Sequence, residues 1–145
     1  MAAAGPWTLT NAGRKRIIDR YIAGGSALTF KVGLYQSSSN IGAASTTIAA
    51  VTNEVANANG YATGGIAVTP TVTGTTIVTV TFAVNPVWTA SGGNITARWA
   101  VLYEVGANVL AYSLLDSAPA DVTATDSNTL TIDSDGTPYP VISLA

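Results

Sequence analysis

The sequence predicts a mainly β fold: an antiparallel β-sandwich of about seven or eight strands, jelly-roll or Greek-key-like in connection, with one N-terminal α-helix. Three observations carry that expectation. Residues 75–84 alternate strictly, with Val78, Val80, Phe82 and Val84 on one face and Ile77, Thr79, Thr81 and Ala83 on the other. That is the period-two repeat of a strand with one buried face. Short apolar runs recur at even spacing between turns rich in Gly, Asn, Asp, Ser and Pro, as a sandwich requires. Only one segment, about 10–23, reads convincingly as a helix. At 145 residues the chain fits one domain, 1–145, with an N-terminal extension over 1–10.

Thr8 or Thr10 is placed to cap the helix by accepting a free N–H. Ile17, Ile18, Tyr21 and Ile22 form its apolar stripe. Lys15 and Arg16 are spaced to pair with Asp19, and Gly24-Gly25 supplies the stop. Residues 28–35 read as a strand with Leu28, Phe30, Val32 and Leu34 inward and Thr29, Lys31 and Tyr35 outward. Residues 36–45, rich in Ser, Asn, Gly and Ala, read as a long loop, mobile or held by a partner. Over 46–55 periodicity does not choose between helix and extended chain. Residues 57–60 form a turn, and the strand over 66–69 is confined by Pro70 to an edge or an end. After 75–84 come Val87-Trp-Thr-Ala90, a turn at 91–94, a strand over 95–103, a turn at 106–108 and a strand over 109–115, an antiparallel meander. A short strand at 129–132, an Asp-Gly turn at 133–136 and a last strand at 141–144, beyond Pro138 and Pro140, complete the chain.

Composition narrows the function. Only 10% of residues are charged, against about 25% in ordinary domains, so the surface is Thr, Ser, Asn, Gly and Ala and poorly guarded against association. Such a surface suits a protein that lives docked in an assembly. There is no cysteine and no histidine, which removes thiolate chemistry, the commonest general base and the commonest metal ligand. No apolar run approaches the roughly 20 residues that span a bilayer, and the N-terminus lacks the charged and apolar regions of a secretion signal. Asp133-Ser-Asp135-Gly136 starts like a calcium loop but lacks the later Glu. Glu104 with Asp116 is the acid pair that sequence leaves open, although these acids border predicted turns. The expectation is therefore no enzyme, no cofactor and no metal.

Arg14, Lys15, Arg16 and Arg20 make a basic patch, while six of the eight acids fall between Glu104 and Asp135. With an acidic chain and no aromatic platform beside the patch, a solvated face or an acidic protein contact reads better than nucleic acid. Arg98 is expected to pair with an acid across a strand or to stack on an aromatic ring.

Several stretches resemble small structural proteins of tailed bacteriophages. Phe30-Lys-Val-Gly-Leu-Tyr35 is similar to their opening strand. Glu54-Val-Ala-Asn-Ala-Asn-Gly-Tyr-Ala-Thr-Gly-Gly65 resembles their E-V…G-Y-A-R-G segment, and Ile95-Thr-Ala-Arg-Trp-Ala-Val-Leu-Tyr103 their I-T-A-R-Y-A-V-L-Y strand. Val109-Leu-Ala-Tyr112 and Asp126-Ser-Asn-Thr-Leu-Thr-Ile132 resemble their closing section. The chain departs from the pattern at Thr63, where Arg is usual, and at Ser127-Asn128, where Gly is common. The resemblance implies a capsid decoration or cement protein, made in the host bacterial cytoplasm and carried on the capsid surface. It also implies the major capsid protein as partner, trimers over three-fold lattice positions, and no nucleic acid, membrane, cofactor or small-molecule substrate. The expected contact segments are 1–10, 36–45 and the carboxyl tail, with Trp7, Leu9, Ser38, Asn40, Ile41 and Leu144 as contact residues beside Arg14, Lys15, Arg16 and Arg20. Two rivals stay open: a tail, neck or fibre component, and a carbohydrate-binding or adhesin module. The second predicts an exposed aromatic platform such as Trp88 with Tyr103 or Tyr112.

Overall fold

The structure, a computed structural model, describes residues 4–23, 28–134 and 142–144, with side chains for all of these but 21–23 and 142–144. In chain order the strands are β1 Thr8–Leu9, β2 Phe30–Tyr35, β3 Ile66–Val68, β4 Pro70–Thr73, β5 Val78–Phe82, β6 Val87–Thr89, β7 Ile95–Ala97, β8 Trp99–Glu104, β9 Val109–Leu114, β10 Val122–Ala124, β11 Thr129–Thr131 and β12 Ile142–Leu144. The helix α1, Asn11–Ala23, follows β1, and a single 3-10 turn, Ile48–Ala50, lies between β2 and β3. Every pairing is antiparallel. One sheet has five strands in the order β1-β9-β8-β2-β3; a second has three, β12-β5-β4; β10-β7 and β11-β6 are two-stranded ladders.

The described chain is thus mainly β with one helix, but it has twelve short strands in four sheets where about seven or eight strands of one sandwich were expected. The cause is that single apolar runs serve two sheets. The run 95–103 breaks at Arg98: β7 pairs with β10, whereas β8 pairs with β2 and β9. The strand expected over 66–69 ends before Pro70 as that proline requires, β3 pairing with β2 and the following β4 with β5. Pro70 opens β4, an edge strand, where its missing N–H is tolerated.

One apolar cluster draws on all four sheets. Val32, Leu34, Ala100, Leu102 and Ala111 come from the five-stranded sheet, Phe82 from the three-stranded one, and Trp88, Leu130, Ile95 and Ala124 from the two ladders. A smaller cluster of Tyr35, Ile41, Val101 and Val109 lies apart from it, with Ile48, Val51, Trp99 and Tyr112 packed half-buried around it. Both odd and even positions of β2 and β8 are therefore buried, the signature of a sheet covered on both faces. Tyr35, expected outward, is 3% exposed for this reason. Val84, expected inward, is 78% exposed because β5 ends at Phe82.

Candidate docking surface

Of the expected contact segments, the 36–45 loop and its continuation to 53 meet the start of α1 and the β8–β9 turn where the N-terminal segment ends, whereas the described part of the carboxyl tail, β12, pairs with β5 in another sheet. The N-terminal segment is stitched into the fold from Gly5 onward instead of reaching away from it. Gly5 N–H donates to Leu114 O at 2.9 Å, Ser113 Oγ donates to Gly5 O at 2.7 Å, and β1 pairs with the edge of β9. Trp7 meets Phe82 edge to face at 6.2 Å, and Leu9 packs half-buried against the main core. Burying an aromatic ring is worth more than leaving it exposed, so the chain's own core has taken the anchor expected of a neighbour.

Thr10 then starts the helix. Its Oγ1 accepts the Gly13 N–H at 2.8 Å, an N-cap, and donates to Val109 O at 2.6 Å. Gly13 lets the helix close on β9, since a Cβ there would lie 2.1 Å from Leu110 O. Arg16 grips Glu104 at the end of β8 with two bonds, Nε to Oε2 at 2.9 Å and Nη2 to Oε1 at 2.8 Å. This fork-to-fork bond holds the buried Glu104 carboxyl below its ordinary range and raises Arg16. Asp19 pairs with Lys15 instead of Arg16. Arg14 bonds Asn11, and Arg20 adds to the positive field at Glu104. Ile18 of the expected apolar stripe is 58% exposed; Tyr21 and Ile22 have side chains outside those described, and Gly24-Gly25 lies outside the described residues.

The 36–53 loop is a built platform. Ile41 is 8% exposed and sits in the smaller cluster against β2, β8 and β9, so it serves the chain's own packing. Asn40 latches the loop, its Nδ2 donating to Ala50 O and its Oδ1 accepting from Thr52 N–H, both at 2.9 Å. Asn53 Nδ2 donates to the carbonyl of Ser38 at 2.8 Å. Asn11 N–H to Ala43 O, Ile48 N–H to Ala107 O and Val109 N–H to Thr46 O bind the loop to α1 and the β8–β9 turn. Ser38 and Asn40 stay exposed. Beside Asn40 opens a hollow of about 250 Å³ lined by Gly42, Ser45, Thr46, Thr47, Ala50 and Val51. Its lining carries no charge and mixes hydroxyl, amide and methyl groups, which suits a small polar or apolar projection from another protein. Sequence missed this hollow because 46–55 had no decisive period.

Next to β2 lies a polar knot that sequence read as a mere turn. Tyr61 OH donates to Glu54 Oε1 at 2.6 Å and accepts Leu34 N–H at 3.0 Å. Gly64 N–H donates to the same Glu54 oxygen, and Tyr103 OH donates to Gly64 O at 2.6 Å. Burial first, and Glu54 second, push the Tyr61 hydroxyl well above the usual tyrosine range. The two hydroxyls and two N–H groups of the knot all find partners within the chain, which fastens the 54–65 segment to the sheet.

The remaining candidates resolve in similar ways. Glu104 is committed to Arg16, and Asp116 Oδ1 accepts from Ala118 N–H of its own loop at 2.9 Å. Arg98 pairs with Asp121 at 2.7 Å. Ser134, fully buried, accepts from Phe82 N–H at 2.7 Å and donates to Asn85 at 2.9 Å; Asp135 and Gly136 of the calcium-like stretch lie outside the described residues. No group of three or more metal-ligating side chains occurs among the described residues. Trp88 and Tyr103 are buried, and Tyr112 is half-buried edge to face with Trp99 at 5.8 Å, so these residues do not make the exposed aromatic platform offered as an example for a glycan binder. Leu144 closes β12, its side chain outside those described. No helix among the described residues is long and apolar enough to cross a membrane.

No protein-family model, characterised protein or solved structure matches the chain.

Proposed function

We propose that the chain is a structural protein of a tailed-phage virion. In this reading it is a decoration or cement protein that docks on the major capsid protein as a homo-oligomer and strengthens contacts between capsomers. Its fold is read as a two-layer sandwich, the five-stranded sheet facing the three smaller ones across their common core. The observation that carries the reading is spatial. Segments that resemble the phage group, scattered through the sequence, adjoin one another: β2, β8 and β9 are consecutive in one sheet, and Glu54, Tyr61 and Gly64 are tied to β2 and β8. At Ser127, where the group commonly has glycine, the backbone holds φ 69°, the left-handed conformation glycine supplies without cost. A kinship of fold explains both features better than chance likeness of short strings.

Docking falls to the 36–53 platform and its hollow, with the helix cations nearby to meet acidic groups on the shell. Such a face works by added buried area, not chemistry. The test is co-sedimentation of purified protein with expanded capsid shells. Stoichiometric binding is expected, and Ala50→Trp, which fills the exposed hollow, abolishes it without changing the melting temperature. Failure of the wild-type protein to sediment with shells contradicts the reading.

A further inference from the structure

The three-stranded sheet has an open edge. Among the described residues β4 pairs with β5 alone. No charged residue stands between Glu54 and Arg98, so β4 lacks the Lys or Glu by which edge strands repel another chain. Val72, Ile77, Val84 and Val87, all in or near this sheet, are exposed large apolar residues, Val72 at 68%. The phase of the ladder decides which backbone groups are unpaired. Ala83 N–H donates to Thr69 O at 2.9 Å, and hydrogen-bonded positions alternate along an antiparallel pair. Thr71 and Thr73 therefore turn their backbone groups toward β5, and Val72 turns its N–H and C=O toward the open edge. Thr71 and Thr73 also meet Thr81 and Thr79 hydroxyl to hydroxyl, at 3.0 and 2.9 Å. That leaves the opposite face of this hairpin to Val72 and Val80, which stand in register.

We propose that β4 is a self-association edge, where two copies pair antiparallel about a two-fold axis at Val72. Thr71-Val72-Thr73 reads the same in both directions. The axis therefore sets Val72 opposite the partner's Val72, each N–H donating to the other's C=O, with Thr71 opposite the partner's Thr73. Threonine meets threonine on one face and valine meets valine on the other. An isologous contact brings each group near its own copy, which a charge would oppose and this uncharged strand permits. A partner of unrelated sequence gains nothing from the symmetry, and a charged one finds no counter-charge. The pairing does not rest on the virion reading; three-fold assembly would need a second contact.

Sedimentation velocity over a concentration series is expected to show a monomer–dimer equilibrium. Val72→Pro removes an outward N–H, a substitution edge strands tolerate, and is expected to give monomer with an unchanged far-UV circular dichroism spectrum. In a chain without cysteine, Val72→Cys joins into a covalent dimer with a short bismaleimide, whereas Val105→Cys, also exposed but on the β8–β9 turn, does not. A monomer at every concentration, an oligomer that survives Val72→Pro, or equal cross-linking of the two cysteine variants overturns the proposal.

Discussion

At the scale of the residue, the side chains that hold this fold are polar groups placed where the backbone has run out of partners. Tyr61 is the clearest case. Its hydroxyl takes the Leu34 N–H that β8 does not use and passes its own proton toward Glu54. Tyr61→Phe keeps the ring and leaves that buried N–H unpaired, so a loss of about 1–3 kcal/mol is expected in denaturant unfolding; an unchanged midpoint would contradict the role. Ser127 shows the opposite sign. A non-glycine residue at positive φ costs about 1–2 kcal/mol, and glycine gives back about 0.5–1 through the looser unfolded chain. Ser127→Gly should therefore raise stability by roughly 0.5–1 kcal/mol, and a measured loss would mean that the exposed serine makes a contact of its own. Sequence pointed at both places through the phage-like strings, but composition could not say what each residue did there. A hydrogen bond between positions far apart in the chain leaves no local period.

At the scale of the element, α1 is governed by where it touches β8 and β9 more than by its own propensities. Alanine is favoured over glycine by about 1 kcal/mol in a helix interior, so propensity alone predicts that Gly13→Ala stabilises. The Leu110 carbonyl stands 2.1 Å from where the new Cβ would go, and backbone on both sides cannot yield cheaply. Net destabilisation is expected, read as a lower melting temperature; a rise would mean that the helix can shift off β9. The Arg16–Glu104 bond gives the same contact a pH dependence. Because Glu104 has a lowered folded pKa, its contribution is complete above the ordinary carboxylate value of 4.5 and is lost as pH falls through the lowered folded one. Wild type should be more stable than Glu104→Gln near neutrality, with the gap closing in acid; parallel melting curves across that range would contradict it. The helix, a threonine cap at Thr8 or Thr10 and the Lys15–Asp19 pair were legible from local spacing, and the structure chooses Thr10. The Arg16 partner was not, because it lies across the chain on β8.

At the scale of the whole molecule, the β class and antiparallel pairing were legible, and the subdivision was not. Alternation marks a strand but carries no sign of the point where a run leaves one sheet for another, as at Arg98, whereas the break at Pro70 was legible from the proline itself. The alternating run 75–84 looked central to the whole chain by pattern, yet its strand β5 is the middle of the small three-stranded sheet, while the less regular β2, β8 and β9 make the doubly covered sheet. The 36–45 loop read from composition as mobile or held by a partner, and the chain itself holds it through Asn40, Asn53 and Ile41. Among the described residues, the surface presents an uncharged platform, a helix carrying four cations and a strand edge without a paired strand, the features from which docking is proposed. If the proposed function holds, the chain belongs to a phage, and cryo-electron microscopy of that phage's virion tests the proposal most directly. Density fitting this fold on the outer surface of the head, with the 36–53 platform against the major capsid protein, is the predicted result. A virion with no such density on the head, or with it confined to the tail or neck, would contradict the account.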